Sequence, residues 1–281
     1  MKLSKSFARL ISAVVLLLIL AFSVGPFAAL IIGAIMPNQN LDRGVRFDWP
    51  LNLTLGNYSE FFREIDRYSL YLVNTLVVSL TTVGIVIIIS VLAAYGITRY
   101  QFRGRTIIKQ AALLGYLFPP VVLVFPYLAG LQAVSLNGTL TGLILANVAF
   151  CFPFALWLTV QYLDAVPLAL DMSAAVDGAS WFQTLQHVVA RRALPGILAV
   201  AAFCFILSWN DVVLALVLAK PDTMTLAAGV NEDILSNASD LNRYGTFSAG
   251  SVIIAGLAVA LFGGLQLYTD RRLRIEAEEQ D

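Results

Sequence analysis

Charged side chains along this chain fall in short clusters, and between the clusters run long apolar stretches with no Asp, Glu, Lys or Arg. The first such interval lies between Arg9 and Asp42, and its apolar part covers about 27 residues. A helix needs roughly 20 apolar residues to cross a bilayer, so a first span is expected over 10–36. Arg67 to Arg99 is the second interval, with the β-branched run Thr81, Thr82, Val83, Ile85, Val86, Ile87, Ile88 and Ile89 in its middle. Such a run is acceptable as helix in lipid, where backbone hydrogen bonds must close within the segment, and a helix over about 71–98 is expected. From Lys109 to Asp164 more than fifty residues pass without a charge, too many for one crossing. The turn chemistry of Ser135-Leu136-Asn137-Gly138-Thr139 divides them, giving helices over about 107–131 and 140–163. Apolar runs over about 193–219 and 246–269 follow, separated by the polar segment from Lys220 to Tyr244. The pattern predicts an all-α integral membrane protein with six transmembrane helices.

Composition agrees with that pattern and removes alternatives. Of 281 residues 59% are hydrophobic and 13% charged, with a mean hydropathy of +0.80, where a soluble domain carries roughly 25% charged residues. Soluble, disordered and collagen-like classes are excluded, and membrane lipid is an expected partner. Eighteen basic and eighteen acidic residues balance, so no global basic field recruits nucleic acid. Lys2, Lys5 and Arg9 ahead of the first apolar run have the look of a signal peptide, but that run far exceeds the 7 to 15 residues typical of one. It is expected to be a retained span. With the N-terminus inside, Lys2, Lys5, Arg9, Arg99, Arg103, Arg105, Lys109, Arg191, Arg192, Arg271, Arg272 and Arg274 all flank the inner side, twelve of the eighteen basic residues. Both termini are therefore expected in the cytoplasm, residues 1–9 at one end and a tail over 270–281 at the other, with an extracytoplasmic loop over 37–69.

Little of the chain carries reactive chemistry. Cys151 and Cys204 sit in apolar runs without a metal-ligand partner at suitable spacing and read as small buried side chains. His187, the single histidine, lies in a polar stretch with no carboxylate beside it and reads as solvated. No metal site and no catalytic constellation are expected. The inner loop from Asp164 to Arg192 is too long for a turn and too polar for lipid. Its run Leu168 to Val176 is helix-competent behind Pro167, and Ala174, Ala175 and Gly178 form a small-residue surface beside Asp177. Such a surface lets a groove or another backbone approach closely; an ordinary loop helix resting on the membrane has the same spacing. Within the spans, Pro119, Pro120 and Pro126 remove helix hydrogen bonds, which suits either a kinked helix lining a water-filled path or a kink used for packing. Asp211 costs roughly 2.5 to 3.5 kcal/mol near mid-span and marks a functional site by default. Trp209-Asn210-Asp211 combines an aromatic platform with hydrogen-bonding groups that suit a polyhydroxylated solute, or else makes an interhelical hydrogen bond to a paired subunit.

Ser173-Ala174-Ala175-Val176-Asp177-Gly178-Ala179-Ser180, followed by Leu194-Pro195, resembles the EAA loop of ABC importer permeases. Asn57-Tyr58, Asn74-Thr75-Leu76, the run Ala93 to Arg105 and Trp209-Asn210-Asp211 are similar to the carbohydrate-importer branch, in particular to maltose-permease subunits of the MalG type. The resemblance implies a type I ABC importer permease fold with its transmembrane domain over 70–268 and a coupling loop over 164–192. It further implies that Ser173, Ala174, Ala175, Asp177, Gly178 and Ala179 contact a cytoplasmic ATPase. The implied partners are a second homologous permease, two ATPase subunits that carry ATP and Mg, and an extracytoplasmic solute-binding protein. The implied solute is a sugar or polyol, and the location the cytoplasmic (inner) membrane of a bacterium or archaeon. No cofactor is expected on this chain, which has no Gly-Lys dipeptide and hence no phosphate loop. The resemblance departs at the head of the motif, where Ser173 carries no carboxylate, and in the tail from Tyr268. Asp171 lies about 200° around a helix from Ser173, so Asp177 is the anion expected to serve the loop. An ATP-independent secondary transporter or channel would have to rely on Asp211, the one charge within the spans, and would have no need of the 29-residue inner loop.

Overall fold

The structure is a computed structural model and describes residues 5–38, 53–64, 67–232 and 243–278. The expected N-terminal residues 1–4, parts of the extracytoplasmic loop (39–52 and 65–66), residues 233–242 and the last three residues of the tail lie outside the described residues. Among those described there is no strand, as follows where an apolar chain must satisfy its own backbone. The helices are α1 Lys5–Ile35, α2 Gly56–Glu64, α3 Tyr68–Arg99, α4 Arg105–Tyr116, α5 Pro120–Ala133, α6 Leu140–Asp164 and α7 Leu168–Val176. They continue as α8 Trp181–Thr184, a π-helical turn Leu185–Val189, α9 Ala190–Arg192, α10 Leu194–Trp209, α11 Val213–Leu218, α12 Leu226–Val230 and α13 Tyr244–Glu278.

Two compact units divide the chain, one of Met1–Asp66 with Val230–Asp281 and one of Arg67–Gly229. In the first, α13 packs on α1 and α2. Buried Asn57 donates from Nδ2 to the carbonyls of Ala34 and Met36 at the end of α1, at 2.9 and 2.5 Å. Asn38 donates to Glu60 at 2.8 Å and to the Thr246 hydroxyl at 3.0 Å. The apolar side chains of α1 from Val14 to Leu20 stay exposed within the chain, a surface suited to lipid.

In the second unit α3 packs along α6, and α10 crosses both. Val86, Cys151, Ala155, Val200 and Cys204 form one buried cluster, so both cysteines are core residues. A second cluster runs from Ala94, Tyr95 and Ile97 through Leu156, Val160 and Leu163 to Leu185, Val189 and Ala193. Hydroxyls inside these helices bond back along their own turns, as Ser79 does to Thr75 O at 2.7 Å and Thr159 to Ala155 O at 2.6 Å, whereas Thr82 Oγ1 and Ser208 Oγ are buried with no hydrogen-bond partner among the described residues.

Among the described residues, four helices are long and apolar enough to cross a membrane: Ser12–Ile35, Tyr68–Arg99, Leu140–Asp164 and Tyr244–Leu261. The number reaches six if each of two bent pairs counts as one span: α4 with α5, bent by 102°, and Trp181–Arg192 with α10, bent by 80°. Two expected helices are thus not continuous. The stretch 107–131 breaks because Pro119 and Pro120 lack N–H donors and Pro120 forces the residue before it out of the helical region; Pro119 is extended, with ψ 141°. The stretch 193–219 breaks at Asn210 to Val212, where short polar side chains take backbone partners that a helix would have used.

Candidate functional site

The polar inner loop folds into α7, a tight turn and α8. Helix α7 ends in a left-handed turn: Gly178 has φ +83°, its N–H donates to Ala175 O at 3.1 Å, and the Ala179 N–H donates to Ala174 O at 2.9 Å. This pair of bonds closes the helix carbonyls and demands a residue that tolerates positive φ. A Cβ built on Gly178 meets nothing within 4 Å, so the chain itself leaves that side open. Ser180 then caps α8, accepting from Gln183 N while Gln183 Oε1 accepts from Ser180 N at 2.8 Å. The small-residue face is split. Ala175 and Gly178 are exposed, as are Ser173 and Asp177, Ala179 is half-buried, and Ala174 turns inward and is buried. The Ser173 hydroxyl donates to Ala169 O at 3.0 Å, within its own helix. Beside exposed polar side chains such as Ser173 and Asp177, the loop presents large apolar ones outward: Leu168, Met172, Val176, Trp181 and Phe182, with Val176 88% exposed.

Asp171 is the residue that sequence reasoning set aside and the structure brings to the centre. It points inward, where its Oδ1 accepts from Arg99 Nε at 3.1 Å and from the Tyr95 hydroxyl at 3.2 Å. The same guanidinium donates to Leu163 O at 3.4 Å and Val166 O at 3.1 Å, at the end of α6 and just past it. Beside it, Lys109 and Arg105 of α4 both pair with Asp164. A basic residue ending a charge-free helix and a carboxylate inside a short apolar helix were visible in the sequence; their meeting was not.

Closer to the middle of the second unit, a cleft of about 400 Å³ is lined by Tyr116, Pro120, Asn147, Phe150, Asn210 and Asp211, among others. The bend between α4 and α5 carries Pro120 there, beside Asn210 and Asp211 from the break after α10. Asp211 Oδ1 accepts from Leu214 N at 3.0 Å, capping α11, and Oδ2 accepts from Asn147 Nδ2 of α6 at 3.3 Å. This interhelical bond joins two elements of the chain itself and is distinct from the bond to a paired subunit that the sequence left as an alternative. Trp209 is fully buried against Phe205, ring centroids 5.4 Å apart, and its Nε1 has no partner among the described residues; it does not line the cleft. Pro119 is exposed as the cap of α5 and is not among the lining residues either. The cleft joins amide, carboxylate and phenol groups to apolar walls, the mix that recurs in small-molecule sites. His187 is exposed, with Nδ1 3.1 Å from Gln183 O, and no three metal-ligating side chains gather among the described residues.

Residues 85–275 match the family described as binding-protein-dependent transport system inner membrane component, and the chain belongs to that family. Its relatives include the trehalose transport system permease protein SugB of Mycobacterium tuberculosis, 32% identical over 209 residues that cover 73% of this chain and 74% of that protein. The maltodextrin transport system permease protein MalD of Streptococcus pneumoniae is 30% identical over 229 residues, covering 79% and 78%. The fold is similar to a chain in the crystal structure of a bacterial ABC transporter involved in the import of the acidic polysaccharide alginate, with a TM-score of 0.78 at 18% identity over 95% of this chain and 99% of that one. SugB and MalD are permease proteins of transport systems, and this chain is a membrane component of a transport system of that family and not an enzyme.

Proposed function

We propose that this chain is one permease subunit of an ATP-driven importer for a sugar or related polyol. It crosses the cytoplasmic membrane of a bacterium or archaeon six times with both termini inside. A second homologous permease completes the path, an extracytoplasmic binding protein delivers the solute, and two separate subunits bind ATP and Mg and hydrolyse it. The loop over 164–192, with Ser173, Ala174, Ala175, Asp177, Gly178 and Ala179, couples the chain to those subunits. The observation that carries this reading is the outward apolar surface of Met172, Val176, Trp181 and Phe182 on a loop too polar to enter lipid. A helix held at one end by a left-handed turn and exposing apolar side chains to water has the form of an element that docks in a partner's groove. ATP binding moves such a helix only if the partner's states grip it differently.

The sugar or polyol reading rests on the relatives that transport trehalose and maltodextrin and on the mixed polar and aromatic walls of the cleft at Asp211 and Asn210. In membrane vesicles holding the complete transporter, Gly178→Glu is expected to leave the chain inserted while the ATPase no longer co-purifies and uptake falls at least tenfold. Uptake at the wild-type rate would overturn the coupling role of this loop.

A further inference from the structure

The run Ala93 to Arg105 has no role in the function so far, yet its Arg99 is the best-connected polar side chain near the inner end of the second unit. One guanidinium bonds Asp171 of α7 at 3.1 Å, Leu163 O at 3.4 Å and Val166 O at 3.1 Å, while Arg99 itself ends α3. Three elements therefore share one cation. The carbonyls it takes lie where a helix leaves its last C=O groups without internal partners and where a positive charge is favoured. Arg99 and Asp171 are 8% and 12% exposed at their side chains, so removing either leaves the other charge buried without its counterion. Among the described residues the one other side-chain hydrogen bond that ties α7 to a long helix goes to the same carboxylate, from the Tyr95 hydroxyl of α3 at 3.2 Å, and no other ion pair does so. Its remaining contacts are apolar, through Ala174 and Leu170, and apolar contacts carry no direction. Both bonds to Asp171 converge on Oδ1, and Oδ2 is buried with no partner among the described residues. Such a single-point hold permits rotation, unlike a two-point Arg–carboxylate fork.

We propose that Arg99 is the positioning residue that passes movement of α7 to α3 and α6, with the Arg99–Asp171 pair acting as a pivot. This rests on the reading of α7 as the ATPase-coupling helix. Apolar packing lets α7 slide on its neighbours, whereas the ion pair makes α3 and the end of α6 follow it.

The test uses the complete transporter, reconstituted in liposomes, with uptake of a radiolabelled sugar carried by the wild type and ATP hydrolysis measured in the same sample. Asp171→Asn is expected to keep the ATPase bound while solute moved per ATP hydrolysed falls at least tenfold. Arg99→Lys keeps the charge but loses the guanidinium's simultaneous bonds to Asp171, Leu163 O and Val166 O and should lose only about threefold, which keeps the test open if Asp171→Asn lowers the amount of protein. Exchange of the two, Arg99→Asp with Asp171→Arg, should recover at least threefold over Arg99→Asp alone. A wild-type ratio in both single variants, or an exchange no better than Arg99→Asp alone, would overturn the pivot. Failure of the wild-type chain to bind an ATPase would overturn the coupling reading beneath it, a different result from any of these.

Discussion

At Gly178 two requirements coincide: a positive φ that the turn imposes and an open face that nothing in the chain fills. Only the first is a property of this chain alone, and the two separate by substitution. Asn tolerates the left-handed region whereas a β-branched residue does not, so Gly178→Asn should retain more uptake than Gly178→Val. Equal loss in both would mean that crowding by a partner, not the turn, fixes the glycine. Asp211 separates likewise. Loss of a helix cap costs about 1 kcal/mol, so Asp211→Ala should lower the melting temperature of the detergent-purified chain, while Asp211→Asn keeps one acceptor oxygen for the Leu214 N–H and with it the cap. A fall in uptake in Asp211→Asn at unchanged stability is expected if the charge lies on the solute path; unchanged uptake would leave capping as its role. Asp211 was legible in the sequence because a lone carboxylate among apolar residues is conspicuous. Trp209 was conspicuous too, but its burial depends on how α10 packs, which sequence spacing does not contain. Asp171 was set aside because helical geometry separates it from Ser173; that separation is what turns it toward Arg99.

Among elements, those bounded by charges were the most legible. The second interval became α3 Tyr68–Arg99, and the turn at Ser135 to Thr139 divides α5 from α6. The breaks inside α4–α5 and α10–α11 were not, since an apolar run without charges has the same composition straight or bent. Helix α10 lies on α6 through Gly196: a Cβ there would stand 2.1 Å from the ring of Tyr162. Overpacking of this kind typically costs about 1 to 3 kcal/mol. Gly196→Ala should lower the melting temperature, and Tyr162→Ala in the same chain should restore part of it, a non-additive pair as expected of residues in contact. Simple addition of the two losses would place Tyr162 away from Gly196.

For the whole molecule, the family was legible from motifs spread along most of the chain, and the match over 85–275 agrees with them. Orientation is the larger-scale expectation, drawn from the excess of Lys and Arg on one side. Both native cysteines are fully buried, so single introduced cysteines report cleanly: Ser180→Cys should react with an impermeant maleimide only from the cytoplasmic side, and Lys220→Cys only from outside. Reversed labelling would invert the topology and remove the loop from the side where ATP is. The central claim, that ATP hydrolysed on another chain drives solute through this one, is tested most directly by purifying the tagged chain in mild detergent and reconstituting what co-purifies. The expected result is an ATPase and a second permease in the preparation and sugar uptake that requires internal or external ATP on the ATPase side. Recovery of this chain alone, transporting without ATP, would contradict it.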